Sequence, residues 1–331
     1  MTRHAAIVST GGFIPEQELT NDDLRRRLGP EGAELVDKME QRTGILTRFL
    51  APETWSSSDL ALPAARTALE RAGIRADQVD LIVLGTDTPD YITPATSVVL
   101  QHKLGATSAG TFDVGCACAS FPTGVAAAAG MIATNPSINT VLVVGVYLMH
   151  KLADPDDPVT FFYGDGAGAA VLTSASRPGF VTSALQADGS YHPRWGIFSG
   201  GTFEPASERS VAEGRTRCRL IEAYPAEVNH EGWPRLVRRL AHDGGFAVEQ
   251  IDFAIFTQVR RPSIELVMQE LGLPLERTQM VMHKWGYTGS ACIPLALDDA
   301  LADNRINSGD LVVLVGSGVG YNQAGVALRW V

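Results

Sequence analysis

The hydrophobic pattern of the chain changes period along its length, and it does so twice in the same order. In ALERAGIRADQVDLIVLGT (68–86) a helical stretch ends near a glycine, a polar turn follows, and the chain enters a continuous apolar run. RLAHDGGFAVEQIDFAIFTQ (239–258) repeats that succession, with Asp80 and Asp252 at matching places 172 residues apart. TVLVVGVY (140–147) and DLVVLVGSG (310–318) form a second pair, Gly145 and Gly316 lying 171 residues apart. Unbroken Val, Ile and Leu runs suit strands covered on both faces, as in parallel or mixed sheets between helices. The pattern predicts an α/β chain made of two equivalent halves, residues 1–174 and 175–331. Each half reads as helix, glycine turn, buried strand, loop, second long helix and another buried strand.

In that frame FDVG (112–115) ends a strand and ASFPTGVAAAAGMIAT (119–134) is a helix of small residues. Cys118, within FDVGCACASF, therefore sits at a strand-to-helix turn. Free N–H groups and partial positive charge at a helix start lower a thiol pKa and favour the reactive thiolate. Cys116 follows a strand direction and reads as packing, as do Cys218 and Cys292. Adding the internal offset to Cys118 leads to WGYTGSA (285–291), so a loop of the other half is expected to converge on the cysteine.

Composition narrows the function classes. The chain has 45% hydrophobic and 19% charged residues and a net charge of −10, a balance that argues against nucleic acid as partner. No apolar run is read as a membrane span, and MTRHAAIVST runs straight into a strand without a signal pattern, so the expectation is a cytoplasmic protein without a membrane partner. Four cysteines are too few for a disulfide framework, and seven scattered histidines give no metal-ligand spacing. No metal and no bound cofactor are expected.

QRTGILTRFLAPE (41–53), FDVGCACASF, YGDGAGAAVL (163–172), ADGSY (187–191), GYTGSACIPLALDDAL (286–301) and GVALRW (325–330) together resemble the ketoacyl-acyl-carrier-protein synthase III branch of the thiolase-like superfamily. The resemblance implies a thiolase-like duplicated αβαβα layered fold, a homodimer, and ping-pong chemistry. The Cys118 thiolate takes an acyl group from a phosphopantetheine thioester, on acyl carrier protein or coenzyme A, and a second substrate attacks the acyl-enzyme. Gly320, in VGSGVGYNQAG (315–325), matches the loop that joins the Cys118 N–H in the oxyanion site. Arg42 matches the arginine that contacts the donor's carrier or nucleotide end. Thr93 falls where relatives often place a bulky aromatic that reaches the partner's acyl pocket and limits chain length.

The resemblance also locates departures. Family members add a histidine and an asparagine that stabilise the enolate formed when malonyl loses carbon dioxide; here Thr257 and Tyr287 stand at those places. Hydroxyls donate hydrogen bonds, but neither accepts a proton near neutral pH as imidazole does. His283, His150 and His192 are the candidates for the missing base, His283 the best placed by sequence. Lys38 and Pro158 stand where the family grips the coenzyme A adenine, which favours a carrier-protein donor, and Arg260 and Arg261 would meet its acidic face. The expected function is a thioester-dependent acyltransferase that passes the acyl group from Cys118 to a non-malonyl small molecule, an alcohol, amine or activated carbon, in a specialised (secondary-metabolite) pathway. The alternatives are a carbon–carbon condensing ketosynthase III and a catalytically idle partner subunit that binds carrier protein.

Overall fold

The computed structural model describes residues 3–154 and 157–331. Two mixed sheets carry the fold. The first runs in the order His4–Phe13, Gly166–Ala175, Thr140–Tyr147, Leu81–Gly85, Gly110–Val114. The second runs Phe180–Ala187, Asn322–Arg329, Leu311–Gly318, Phe253–Phe256. Their registers repeat the sequence offset: Leu81 lies beside Val141 in a parallel pair, and Phe253 lies beside Val312 in another. The first sheet pairs Ile82 with Thr111 of a fifth strand, whereas the second has, at the corresponding edge, an isolated parallel bridge from Ala254 to Thr278.

Helices Ser120–Thr134 and Cys292–Ala302 lie between the sheets, each touching strands of both. Ser57–Ala72 and Thr96–Leu104 cover the outer face of the first sheet, and Gly232–Gly244 covers that of the second. The result is five layers, αβαβα, as the resemblance implies. The continuous apolar runs are explained by this layering: Val141, Leu142, Val143 and Val144 are fully buried, and so are Val312, Val313, Leu314 and Val315.

One expectation needs correction. Residues 117–134 are long and apolar enough to cross a membrane by length and composition alone, although no such run was read from the sequence. They form a 3₁₀ turn and the central helix Ser120–Thr134, whose Phe121, Val125, Ala128 and Ile132 are wholly inside the protein. Burial between two sheets accounts for the composition.

The central helices begin against the opposite sheet. A Cβ on Gly316 would lie 2.7 Å from the Cys118 carbonyl oxygen and 2.9 Å from the Ala119 Cα, and one on Gly145 would overlap the Ser290 carbonyl. Each half thus has a side-chain-free strand position where the other half's helix turn presses in. Replacing Gly316 by alanine is expected to destabilise the protein by about 1–3 kcal/mol through overpacking, read as a lower urea midpoint at unchanged m-value. An unchanged midpoint would show that the turn has room to shift.

Candidate active site

The strand Gly110–Val114 leads into a single 3₁₀ turn, Ala117–Ala119, and then directly into helix Ser120–Thr134. Ala117 adopts φ 47°, a conformation costly for a residue with a Cβ and typical of functional turns. The turn is held from several sides. The Cys116 N–H donates to Ser120 Oγ at 2.9 Å, the Ala119 N–H donates to the Cys116 carbonyl at 3.0 Å, and the Ser290 hydroxyl lies 3.1 Å from the Ala117 carbonyl. Cys118, 3% exposed, lines an inner cavity of about 230 Å³ together with Asp87, Tyr147, Trp195, Cys218 and Tyr287.

The loop of the second half converges on the cysteine. The Tyr287 hydroxyl hydrogen-bonds the Cys118 sulfur, and the Tyr287 backbone is clamped by donating to the Phe162 carbonyl at 2.7 Å and accepting from the Gly164 N–H at 3.0 Å. Burial, with Cys118 next in importance, holds the Tyr287 phenol well above its ordinary pKa, so it stays protonated and able to donate.

The expected low thiol pKa is overturned. Burial pushes the Cys118 thiol well above its usual value, the carboxylate of Asp87 and then Cys292 push it further, and the Tyr287 hydrogen bond opposes them. Removing water from a thiolate costs more than a helix start returns when a carboxylate shares the cavity. Cys292 itself is pushed up to about 12 by burial, which fits its packing role. Cys116 is half-buried and also raised by burial.

An outer cavity of about 120 Å³ adjoins the inner one; Tyr287, Trp195 and Val319 line both. Thr257 lines the outer cavity, 2% exposed, with its Oγ accepting from the Ser317 N–H at 2.8 Å and its hydroxyl hydrogen left to give. Arg260 also lines it; partial burial and then the neighbouring Arg42 lower the Arg260 pKa. Arg42 itself is exposed, and Arg261 is exposed and paired with Glu265 at 2.7 Å.

Other sequence candidates fall elsewhere. His283 is exposed beside Lys284 and Arg261 and lines neither cavity, because the Met282–Trp285 turn points it outward. His192 is exposed and His150 pairs with buried Asp165, so neither reaches the cysteine cavity. The Gly320 N–H donates to the Tyr224 hydroxyl at 3.4 Å, and it is the neighbouring Val319 that lines the cysteine cavity. Thr93 is exposed on the loop that also exposes Tyr91 and Ile92. Lys38 is exposed and paired with Glu34, and the side chain of Pro158 lies outside the described ones.

Asp87 and His230 escaped the sequence reading, and Cys218 was read there only as packing. Asp87 and Cys218 line the inner cavity and His230 lines the outer one, its Nε2 3.0 Å from Ser263 Oγ. Asp87 had a signal: it follows the parallel strand Leu81–Gly85, and the carboxyl ends of such strands are where α/β sites gather. Cys218 and His230 lie in irregular or short segments with no such signal.

Loss of the hydroxyl in Tyr287→Phe removes the side-chain hydrogen bond that lowers the Cys118 pKa, leaving only the backbone one. The midpoint of the pH dependence of Cys118 alkylation by iodoacetamide is therefore expected to move upward from its already raised position. A midpoint that stays or falls would show that the phenol does not support the thiolate.

Residues 112–189 match the family described as 3-oxoacyl-[acyl-carrier-protein] synthase III, and residues 241–330 match its C-terminal part. A β-ketoacyl-[acyl-carrier-protein] synthase III of Methylococcus capsulatus is 35% identical over 332 residues, covering 100% of both chains. The solved 3-oxoacyl-(acyl carrier protein) synthase III of Pseudomonas aeruginosa superposes with a TM-score of 0.88 at 30% identity, covering 99% of this chain and 98% of that one. A priming β-ketosynthase from a polyketide biosynthetic pathway gives 0.89 at 27% identity, covering 99% and 97%. With a cysteine at the strand-to-helix turn, a second-half loop on its sulfur and full-length likeness to these enzymes, the chain belongs to the 3-oxoacyl-[acyl-carrier-protein] synthase III family, with the thiolase-like fold.

Proposed function

We propose that the protein is an acyltransferase of ketosynthase III type that loads an acyl group on Cys118 and passes it to a non-malonyl nucleophile in a specialised pathway. One observation carries this reading: the Tyr287 hydroxyl is committed to the Cys118 sulfur and Thr257 lines the adjoining cavity, two residues that on the resemblance stand where histidine and asparagine would be. Among the described residues no histidine lines the cysteine cavity. Decarboxylation of a malonyl group needs donors aimed at the enolate oxygen, and each one lost costs about 2.7–4 kcal/mol. An alcohol, an amine or an acidic β-dicarbonyl carbon requires no such step.

The donor on this reading is an acyl phosphopantetheine thioester. Arg260 at the outer cavity, with Arg42 beside it, supports approach of an acidic carrier protein. Exposed Tyr91 and Ile92 support a homodimer in which the Thr93 loop enters the partner's acyl pocket. A condensing ketosynthase III is the second reading, favoured by the name of the relatives.

Labelled malonyl carrier protein is expected to release carbon dioxide at least about a hundredfold more slowly than a decarboxylating member of the family does, while a screen of hydroxyl, amine and β-dicarbonyl acceptors discharges the acyl-enzyme. Rapid, Cys118-dependent carbon dioxide release would restore the condensing enzyme. For the pocket, Thr93→Phe is expected to shift preference from medium to short acyl donors, as measured by intact-protein mass after competition between acetyl and octanoyl donors. An unchanged ratio would remove Thr93 from the acyl site.

A further inference from the structure

The cysteine cavity contains a carboxyl group that the chemistry above leaves unused. Asp87 lies at the carboxyl end of strand Leu81–Gly85 and lines the same cavity as Cys118. Its Oδ1 is 2.8 Å from Ser290 Oγ, and that same hydroxyl is 3.1 Å from the Ala117 carbonyl oxygen. Ser290 is 1% exposed and has one hydroxyl hydrogen for these two acceptors. With Asp87 ionised, the hydrogen points to the carboxylate. With Asp87 protonated, the acid donates to Ser290 Oγ, and Ser290 turns its hydrogen to Ala117. Ser290 can therefore hydrogen-bond Asp87 in either protonation state.

We propose that Asp87 is the general base of this site, with Ser290 as its positioning residue. In loading, a bond forms between Cys118 Sγ and the acyl carbon and the donor's carbon–sulfur bond breaks. The Cys118 proton passes to Asp87 and then to the departing pantetheine thiolate. In transfer, the acceptor's proton passes to Asp87 as the acceptor bonds to the acyl carbon, and it is returned to the Cys118 sulfur as the thioester breaks. The Ala117 carbonyl belongs to the peptide unit that carries the Cys118 N–H. A Ser290 hydrogen bond to that oxygen polarises the unit, strengthening the N–H as an oxyanion donor when Asp87 holds the proton.

The surroundings suit the role. The titratable groups felt with Asp87 are the neutral acids Cys118, Tyr147, Tyr287, Tyr163, Cys218 and Cys292. Among the described residues no lysine, arginine or histidine lines the cavity. Burial accordingly raises Asp87 to about 6, opposed by the Ser290 hydrogen bond, so the carboxylate is the main form at neutral pH and the conjugate acid is within reach.

The inference rests on Cys118 forming an acyl-enzyme and not on the choice of acceptor, so loading alone tests it. Octanoyl carrier protein, octanoyl-N-acetylcysteamine and octanoyl-coenzyme A are the probes, with acyl mass on Cys118 followed against pH. The parent is expected to load faster as pH rises through about 6, because the carboxylate accepts. Asp87→Asn is expected to lose that limb and to load roughly 10²–10³-fold more slowly at pH 7.5, with Asp87→Glu recovering part of both. Iodoacetamide alkylation of Cys118 at pH 9 to 10 supplies the control: it is expected to be as fast or faster in Asp87→Asn, since a negative neighbour is gone. The same variant should melt no lower than the parent at pH 8, because a carboxyl whose folded pKa is raised costs stability once ionised. Loading by Asp87→Asn at the parent's rate and pH dependence would overturn the base, and so would a parallel loss of loading and alkylation. A parent that takes no acyl group from any of the three probes would overturn the acyl-enzyme reading and this inference with it.

Discussion

Gly316 and Gly145 let each central strand meet the first turn of the opposite half's buried helix with backbone in contact, and the site exists because of this pair of crossings. Gly316 lies under Cys118 and Ala119; Gly145, its counterpart in the other half, lies under Ser290. A methyl group at either place would lift a helix start off a strand end. Close-packed interiors do not absorb such a shift locally, so the position of Cys118, of Ser290 and of the intervening cavity is set by the absence of two side chains.

The crossing also explains why two distant loops share one chemistry. The Ala117–Ala119 turn and the Gly289–Ala291 turn are equivalents in the duplication, and each precedes a central helix. Brought together, they place Cys118 against Tyr287 and Ser290 against both Ala117 and Asp87. No hydrogen bond within one half provides these contacts. The duplicated frame thus supplies an asymmetric site: one turn bears the Cys118 sulfur, and its twin bears the Ser290 hydroxyl.

Burial dominates the electrostatics. The inner cavity is ringed by phenols and thiols that burial keeps neutral, and Asp87 is the carboxyl among them. In such a setting an ion raises the cost of forming another of the same sign. Cys118 and Asp87 are linked in this way: the carboxylate disfavours the thiolate, and a proton held on the carboxyl leaves one buried negative charge in place of two when the thiolate forms. The helix start, which by itself would favour a thiolate, is the weaker influence.

The periodic features were legible in the chain alone. Glycine turns before unbroken Val, Ile and Leu runs, repeated at an offset of 171 to 172 residues, marked the duplication and sheets covered on both faces. The same offset carried Cys118 onto the loop of Tyr287, because a duplicated fold brings equivalent turns to one place. Ionisation was not legible: a helix start is visible in sequence, whereas the water removed from a thiol and the carboxyl across its cavity are not. His283 lies four residues from Tyr287 in the chain yet on the outer surface, since a short turn reverses direction within that span. Asp87, 31 residues before Cys118, is beside it in space. Parallel neighbouring strands end together in a sheet, so which side chains share a cavity is decided by strand order and packing between halves, which only the folded chain possesses.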